Sequence, residues 1–161
     1  MDRLWTPWRF DYISKVDQAK SCVFCSILEE SEDSSNFVLY RGRNVYVVMN
    51  LFPYTTGHLL IVANRHISCL NEASDGELGD FIQLCRQCEN ALRQEYRPNG
   101  FNMGFNVGRA AGAGIEQHLH MHVLPRWVGD SNFVSIVGET RVLPEELPTT
   151  YRRLITYFEN F

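Results

Sequence analysis

Between His118 and Val123 the chain alternates histidine with an apolar residue. His118, His120 and His122 occupy one set of positions, and Leu119, Met121 and Val123 the other. A period of two belongs to a β-strand, whose successive side chains point to opposite faces. The three imidazoles therefore share one face, with neighbours roughly 6.6–6.8 Å apart along the strand. The apolar three turn towards a core. Such a strand needs a sheet to sit in, and the flanking sequence supplies one. Phe37–Tyr40, Val45–Met49, His58–Ala63 and Phe101–Val107 are short runs rich in β-branched and aromatic residues, and His118–Leu124 is the fifth. Turn residues separate them, at Gly42 and across Asn50–Gly57.

Residues 76–96 switch to a helical period. Leu78, Phe81, Cys85, Cys88 and Leu92 recur at steps of three and four, a stripe that faces a core, and Arg97-Pro-Asn-Gly100 stops the helix. A second helix is expected over Pro144–Phe158, with Pro144 suited to its first turn. Strands joined by short turns and interrupted by one long helix specify an α+β domain on an antiparallel sheet of five strands, closed by a C-terminal helix. The 161 residues suffice for one domain with a real core, and there is no repeat and no long linker.

Composition narrows the partners. The formal charge of −4 belongs to one run, Glu29, Glu30, Glu32 and Asp33; outside it the two signs balance. A domain-wide basic footprint for nucleic acid is excluded. Only Lys15 and Lys20 are lysines among the 15 basic residues, and arginine suits planar recognition of phosphate or carboxylate. No stretch approaches the ~20 apolar residues of a membrane span, and the start has no apolar signal core. Five cysteines, an odd number, favour a reducing cytoplasm with thiols or metal ligands over a disulfide frame. Residues 1–20 form an aromatic arm (Leu4, Trp5, Trp8, Phe10, Tyr12), which either covers the core or crosses to a partner subunit. Residues 29–36 read as a solvated loop with no structural role, and Cys69 reads as core.

Two chemistries use a row of histidines: metal ligation by imidazole, and nucleophilic or general acid–base catalysis near neutral pH. Gly108, Gly112 and Gly114 just before the row let backbone N–H groups approach an anion, and Arg109 and Arg126 flank it as charge partners. Phosphate is the ligand that fits this combination.

The pattern His118-Leu-His120-Met-His122 resembles the signature of the histidine triad (HIT) superfamily of nucleotide hydrolases and transferases. The resemblance spans residues 22–127, which would form the core between the arm (1–20) and a C-terminal extension (128–161). Asn50, Pro53 and Gly57-His58 resemble the family's nucleoside-binding turn, and Asn106 resembles an asparagine near the phosphate. Cys22-Val-Phe-Cys25 with His66 resembles a zinc site of some members. Leu4-Trp-Thr-Pro-Trp-Arg9, Gly112-Ala-Gly-Ile115, Pro125-Arg-Trp127 and Gly129-Asp-Ser-Asn-Phe133 look like the diadenosine tetraphosphate phosphorylase type. The hydrolase members carry Gln with Ser or Thr shortly before the triad, where this chain has Gly114-Ile115.

The resemblance implies roles. His120 is the expected nucleophile, forming a nucleotidyl-histidine, with His122 and His58 beside the transferring phosphate. Asn50 is expected on the ribose. Leu51, Phe52 and Phe24 would wall the base. Asn106 and the loop Gly112, Ala113, Gly114 and Ile115 would meet the phosphates. Cys22, Cys25, His66 and His118 make a four-ligand set for structural Zn²⁺, with no open position and no organic cofactor. A second pair, Cys85-Arg-Gln-Cys88, would suggest a Cys₄ site instead, but it lies on the apolar helix stripe, where thiols behave as small hydrophobes. The expected activity is nucleotidyl transfer on a dinucleoside polyphosphate with phosphate as acceptor. Hydrolysis of such a dinucleotide or of a nucleoside phosphoramidate is the alternative, and a zinc-bearing nucleotide-binding module without turnover is the reading from another class. The resemblance also implies a homodimer.

Overall fold

Short apolar runs separated by tight turns pair most simply with their neighbours, and here they do. The computed structural model describes residues 22–130, 135, 137–138, 143–159 and 161. The aromatic arm and Ser131–Phe133 lie outside these. The strands are β1 (Val38–Arg41), β2 (Val45–Met49), β3 (Leu59–Ala63), β4 (Gly100–Phe105) and β5 (His120–Arg126). They form one antiparallel sheet in the order β1-β2-β3-β5-β4. The helices are α1 (Val23–Glu29), α2 (Asp33–Asn36, a single turn), α3 (Asp75–Tyr96) and α4 (Leu147–Leu154). This is the α+β class that the sequence specifies. β5 starts two residues later than expected. Before it Leu119 turns its N–H to the Ile67 carbonyl (2.6 Å), while its own carbonyl accepts from Ala63 N–H (3.2 Å).

Every residue of β2 and of β3 is buried, because both faces of the sheet are covered. On one face α3 and α4 pack over Val45, Val47, Met49, Leu59, Ile61, Met121 and Val123. On the other, Phe24 of α1 joins Val38, Tyr46, Val48, Leu60 and Val62, with Ile27 and Leu28 beside them. Two-sided burial also explains why β2 and β3 read as unbroken apolar runs.

α1 was not legible as a helix, and its anchors are remote in sequence. Tyr46 Oη donates to the Phe24 carbonyl (2.9 Å). Arg41 donates to the carbonyls of Ile27 (2.9 Å), Leu28 (3.0 Å) and Glu30 (2.7 Å), satisfying the helix's unpaired C-terminal groups, and its Nε reaches Asp33 (2.8 Å). The acidic run therefore has a structural role after all: it supplies Asp33, and Asn36 donates to Glu30 (2.6 Å).

Three further expectations are corrected. Pro148, not Pro144, sits in the first turn of α4. A helix begun at Pro144 would put Pro148 in its interior, where the missing N–H and ring clash break it. Cys69 is half-buried and not core: it precedes the 3₁₀ turn Leu70–Glu72 with its Sγ 3.6 Å from Glu72. Leu78 is only half-buried, and Glu77 takes the inward position in the first turn of α3. Glu77 closes a capping box with Ser74 and accepts from Arg65 Nε (2.8 Å) and Nη2 (2.7 Å). The Arg65 hydrogen bonds, with those from Ser74, hold its carboxyl at about 2, well below the ordinary 4.5. Cys85 and Cys88 are buried on the same helix, as the stripe requires. Among the described residues no helix is long and apolar enough to cross a membrane.

Glu77→Ala removes the N3 partner of the cap, and urea unfolding should show a loss of about 1–2 kcal/mol from the cap alone. The sign with pH follows from the lowered carboxyl. Its stabilisation is complete above pH 4.5 and fades as pH falls towards 2, so wild type and Glu77→Ala should converge in acid.

Candidate active site and metal cluster

The site is built where β3 meets β5. Register pairs Val62 with His120 and Leu60 with His122, placing both imidazoles on the face covered by α1. His58 precedes β3 and is buried; it follows Gly57, whose φ is +76°. A Cβ at Gly57 would lie 2.8 Å from Leu92 Cδ2, so both the backbone and the packing against α3 require glycine there.

His120 is buried, and its Nδ1 lies 2.7 Å from the His118 carbonyl. A carbonyl only accepts, so Nδ1 carries the hydrogen and Nε2 keeps its lone pair. His58 Nε2 lies 2.9 Å from His122 Nδ1. Tyr54, which the sequence reading overlooked, lies tilted against His58 with ring centroids 4.8 Å apart and near-parallel to His122 at 6.1 Å. An aromatic four residues before His58 was the only signal. Asn50 Nδ2 lies 3.2 Å from His58 Nδ1, and Asn50 Oδ1 accepts from Phe52 N–H (3.0 Å). All the imidazoles here are held neutral. Burial, and then the neighbouring His122 and His120, lower His58 to about 3. Burial and then His120 lower His122 to about 4. Burial also lowers His120.

The other residues expected at the site differ in burial. Phe24 is buried, its ring 5.1 Å from His120 and 5.4 Å from His118. Leu51 is exposed, while Phe52, Asn106, Ala113 and Ile115 are half-buried. Ile115 packs against the α1-side core. Gly112 and Gly114 are exposed, and Gly112 ends the 3₁₀ turn Arg109–Ala111 with φ +85°. Arg126 is not available to the histidine row as expected: Asp130 (2.6 Å) and Asn102 (2.6 Å) hold it.

A second cluster lies beside the first. Cys22, Cys25, His66 and His118 bring one ligand atom each within 4.8 Å of one another. Cys22 Sγ and Cys25 Sγ lie 3.3 and 3.6 Å from His118 Nδ1, and Cys25 Sγ lies 3.3 Å from His66 Nδ1. Ligands of a tetrahedral zinc at 2.0–2.3 Å stand about 3.3–3.8 Å apart, so these three separations fit such an ion, and a small inward shift would bring the rest of the set into range. His118 Nε2 donates to the Ala63 carbonyl (2.7 Å), which turns the Nδ1 lone pair to the thiols. Burial and the adjacent Cys22 push the Cys25 thiol up to about 11, so it stays protonated at neutral pH unless a cation takes the place of its proton. Cys85 and Cys88 have no part in it.

A family model described as the HIT domain matches residues 31–128. The chain is 36% identical to a protein named AP-4-A phosphorylase of Mycobacterium tuberculosis over 163 aligned positions, covering 97% of this chain and 84% of that protein. A Zn-bound histidine triad family protein from Mycobacterium smegmatis superposes with a TM-score of 0.69 at 27% identity, over 85% of this chain and 92% of that one. A HIT family member from Bacillus subtilis gives 0.61 at 29%, over 67% and 74%. The chain belongs to the HIT family.

Neutral His58 and His122 set an acid window. An unfolded histidine takes its proton near 6.5, whereas folded His58 takes it only near 3. The stability this involves is present above pH 6.5 and lost as pH falls towards 3. Melting temperature should therefore decline across that interval, and the decline should be shallower in His58→Gln.

Proposed function

We propose that this HIT-superfamily enzyme transfers a nucleotidyl group from a dinucleoside polyphosphate, of the diadenosine tetraphosphate kind, to inorganic phosphate. The observation that carries the reading is the neutral His120, with Nδ1 on a main-chain carbonyl and its nucleophilic Nε2 lone pair retained. Nε2 attacks the α-phosphorus; an N–P bond forms as the P–O bond to departing ATP breaks. A phosphate oxygen then attacks the same phosphorus, releasing ADP and restoring the imidazole. His122 and His58 stand beside the transferring group, to stabilise its charge or protonate the leaving oxygen. Asn50, Leu51, Phe52 and Phe24 take the nucleoside. Asn106 and backbone N–H groups of Gly112–Ile115 take the phosphates. Gly114-Ile115 offers no polar side chain to a leaving group, which favours phosphate over water as acceptor. The 36% identity to a protein named for phosphorolysis supports the same choice.

Zn²⁺ held by Cys22, Cys25, His66 and His118 would be structural: four protein ligands leave no open position, and the ion would cross-link α1 to the start of β5. The protein acts as a cytoplasmic homodimer without nucleic acid or membrane.

Incubation with diadenosine tetraphosphate should yield ADP and ATP only when phosphate is present; AMP and ATP in its absence would establish hydrolysis instead. His120→Ala should lower turnover roughly 10³-fold or more. Metal analysis should find one zinc per chain, lost in Cys22→Ser and retained in Cys85→Ser.

A further inference from the structure

The hydrogen-bond chain behind the triad fixes more than position. Phe52 N–H is solely a donor, so the Asn50 atom it meets at 3.0 Å is Oδ1. That sets the amide's orientation and turns Nδ2, also solely a donor, to His58 Nδ1 at 3.2 Å. A second donor, Tyr54 N–H, meets the same Nδ1 at 3.2 Å. A ring nitrogen facing two donors carries no hydrogen. The hydrogen of neutral His58 is therefore on Nε2, and at 2.9 Å it is given to His122 Nδ1. His122 Nδ1 is then an acceptor, and the hydrogen of neutral His122 is on Nε2.

We propose that Asn50, with the Tyr54 amide, is a positioning residue that locks His58 and His122 in their Nε2–H tautomers, so that His122 meets the reacting phosphate as a hydrogen-bond donor. The lock uses the orientation of an amide and one main-chain N–H, and it needs no charge. Its consequence for catalysis rests on the reading proposed above. A His122 with hydrogen on Nδ1 would present a lone pair to phosphate oxygens and repel them. In the locked form it gives a hydrogen bond that strengthens as negative charge develops. Asn50 then serves the reaction through His58 as well as any contact it makes with a ribose.

Nitrogen-15 NMR of the histidine rings at neutral pH tests the lock in the wild-type protein without substrate, with His58→Gln assigning the pair. Both His58 and His122 should show a protonated Nε2 and a bare Nδ1; a protonated Nδ1 on either overturns the proposal. Asn50→Asp replaces the donor by a carboxylate that only accepts. It should move His58, and with it His122, towards the Nδ1–H form, and should lower kcat about tenfold or more. Asn50→Ala should leave the tautomers mixed with a smaller fall in kcat. A rise in KM with kcat and both tautomers unchanged would mean that Asn50 only binds ribose, and would also overturn it. If the wild-type rings show the locked tautomers while no dinucleotide is turned over, the proposed reaction fails and the lock stands.

Discussion

The register between β3 and β5 is the constraint on which the site depends. Val62 opposite His120 and Leu60 opposite His122 put both rings on the α1 side, while Met121 and Val123 enter the core under α3. A slip of one residue would exchange the two sets, burying imidazoles against α3 and exposing methionine and valine beside α1. The slip is opposed along the whole pairing, because β3 is buried on both faces and β5 carries polar groups on only one. The same register brings the end of β3 to His118, where the Ala63 carbonyl receives Nε2. Core packing and site geometry are thus one choice of alignment.

Burial gives the site its electrostatic character. Three imidazoles lie within 5.1 Å of their neighbours, and desolvation keeps them uncharged. Three charged rings at that spacing would repel strongly in so dry a place. Neutral rings suit a nitrogen nucleophile, which needs its lone pair, and they suit hydrogen bonding to a polyanion that brings the charge with it. Polarity at the site is then set by tautomers. Two of the three directing groups are main-chain atoms, the His118 carbonyl and the Tyr54 N–H.

How far this was legible in the sequence follows from which interactions are local. The period of two and the stripe on α3 are local patterns: the first appears in β5 from His120 onward, and the second holds from Phe81 to Leu92, with Leu78 only half-buried. The grouping of Cys22, Cys25, His66 and His118 came from resemblance, and the chain brings them together. α1 was not legible, because one set of apolar residues at helical spacing, Phe24, Ile27 and Leu28, is too short to mark a helix, and its anchors Tyr46 and Arg41 lie far along the chain on β2 and β1. Glu77 was hidden for a related reason: a carboxylate looks solvent-facing until Ser74 and Arg65 are seen around it. Tyr54 and the amide orientation of Asn50 depend on the path of one turn, which composition does not encode.

α1 connects the two clusters. Phe24 lies between Cys22 and Cys25 in sequence and packs against both His118 and His120 in space. Its place is set by three holds on α1: the Tyr46 hydroxyl, the Arg41 guanidinium and the cysteine–histidine cluster. The first two grip carbonyls at Phe24 and from Ile27 onward. The cluster adds a hold through Cys22 and Cys25 at the start of the helix, and sulfur–nitrogen hydrogen bonds at 3.3–3.6 Å are weak holds. Zinc there would replace them with coordinate bonds and fix the Phe24 ring against the proposed nucleophile. A metal with no open coordination position would then still bear on the chemistry, by holding the apolar wall that keeps His120 neutral.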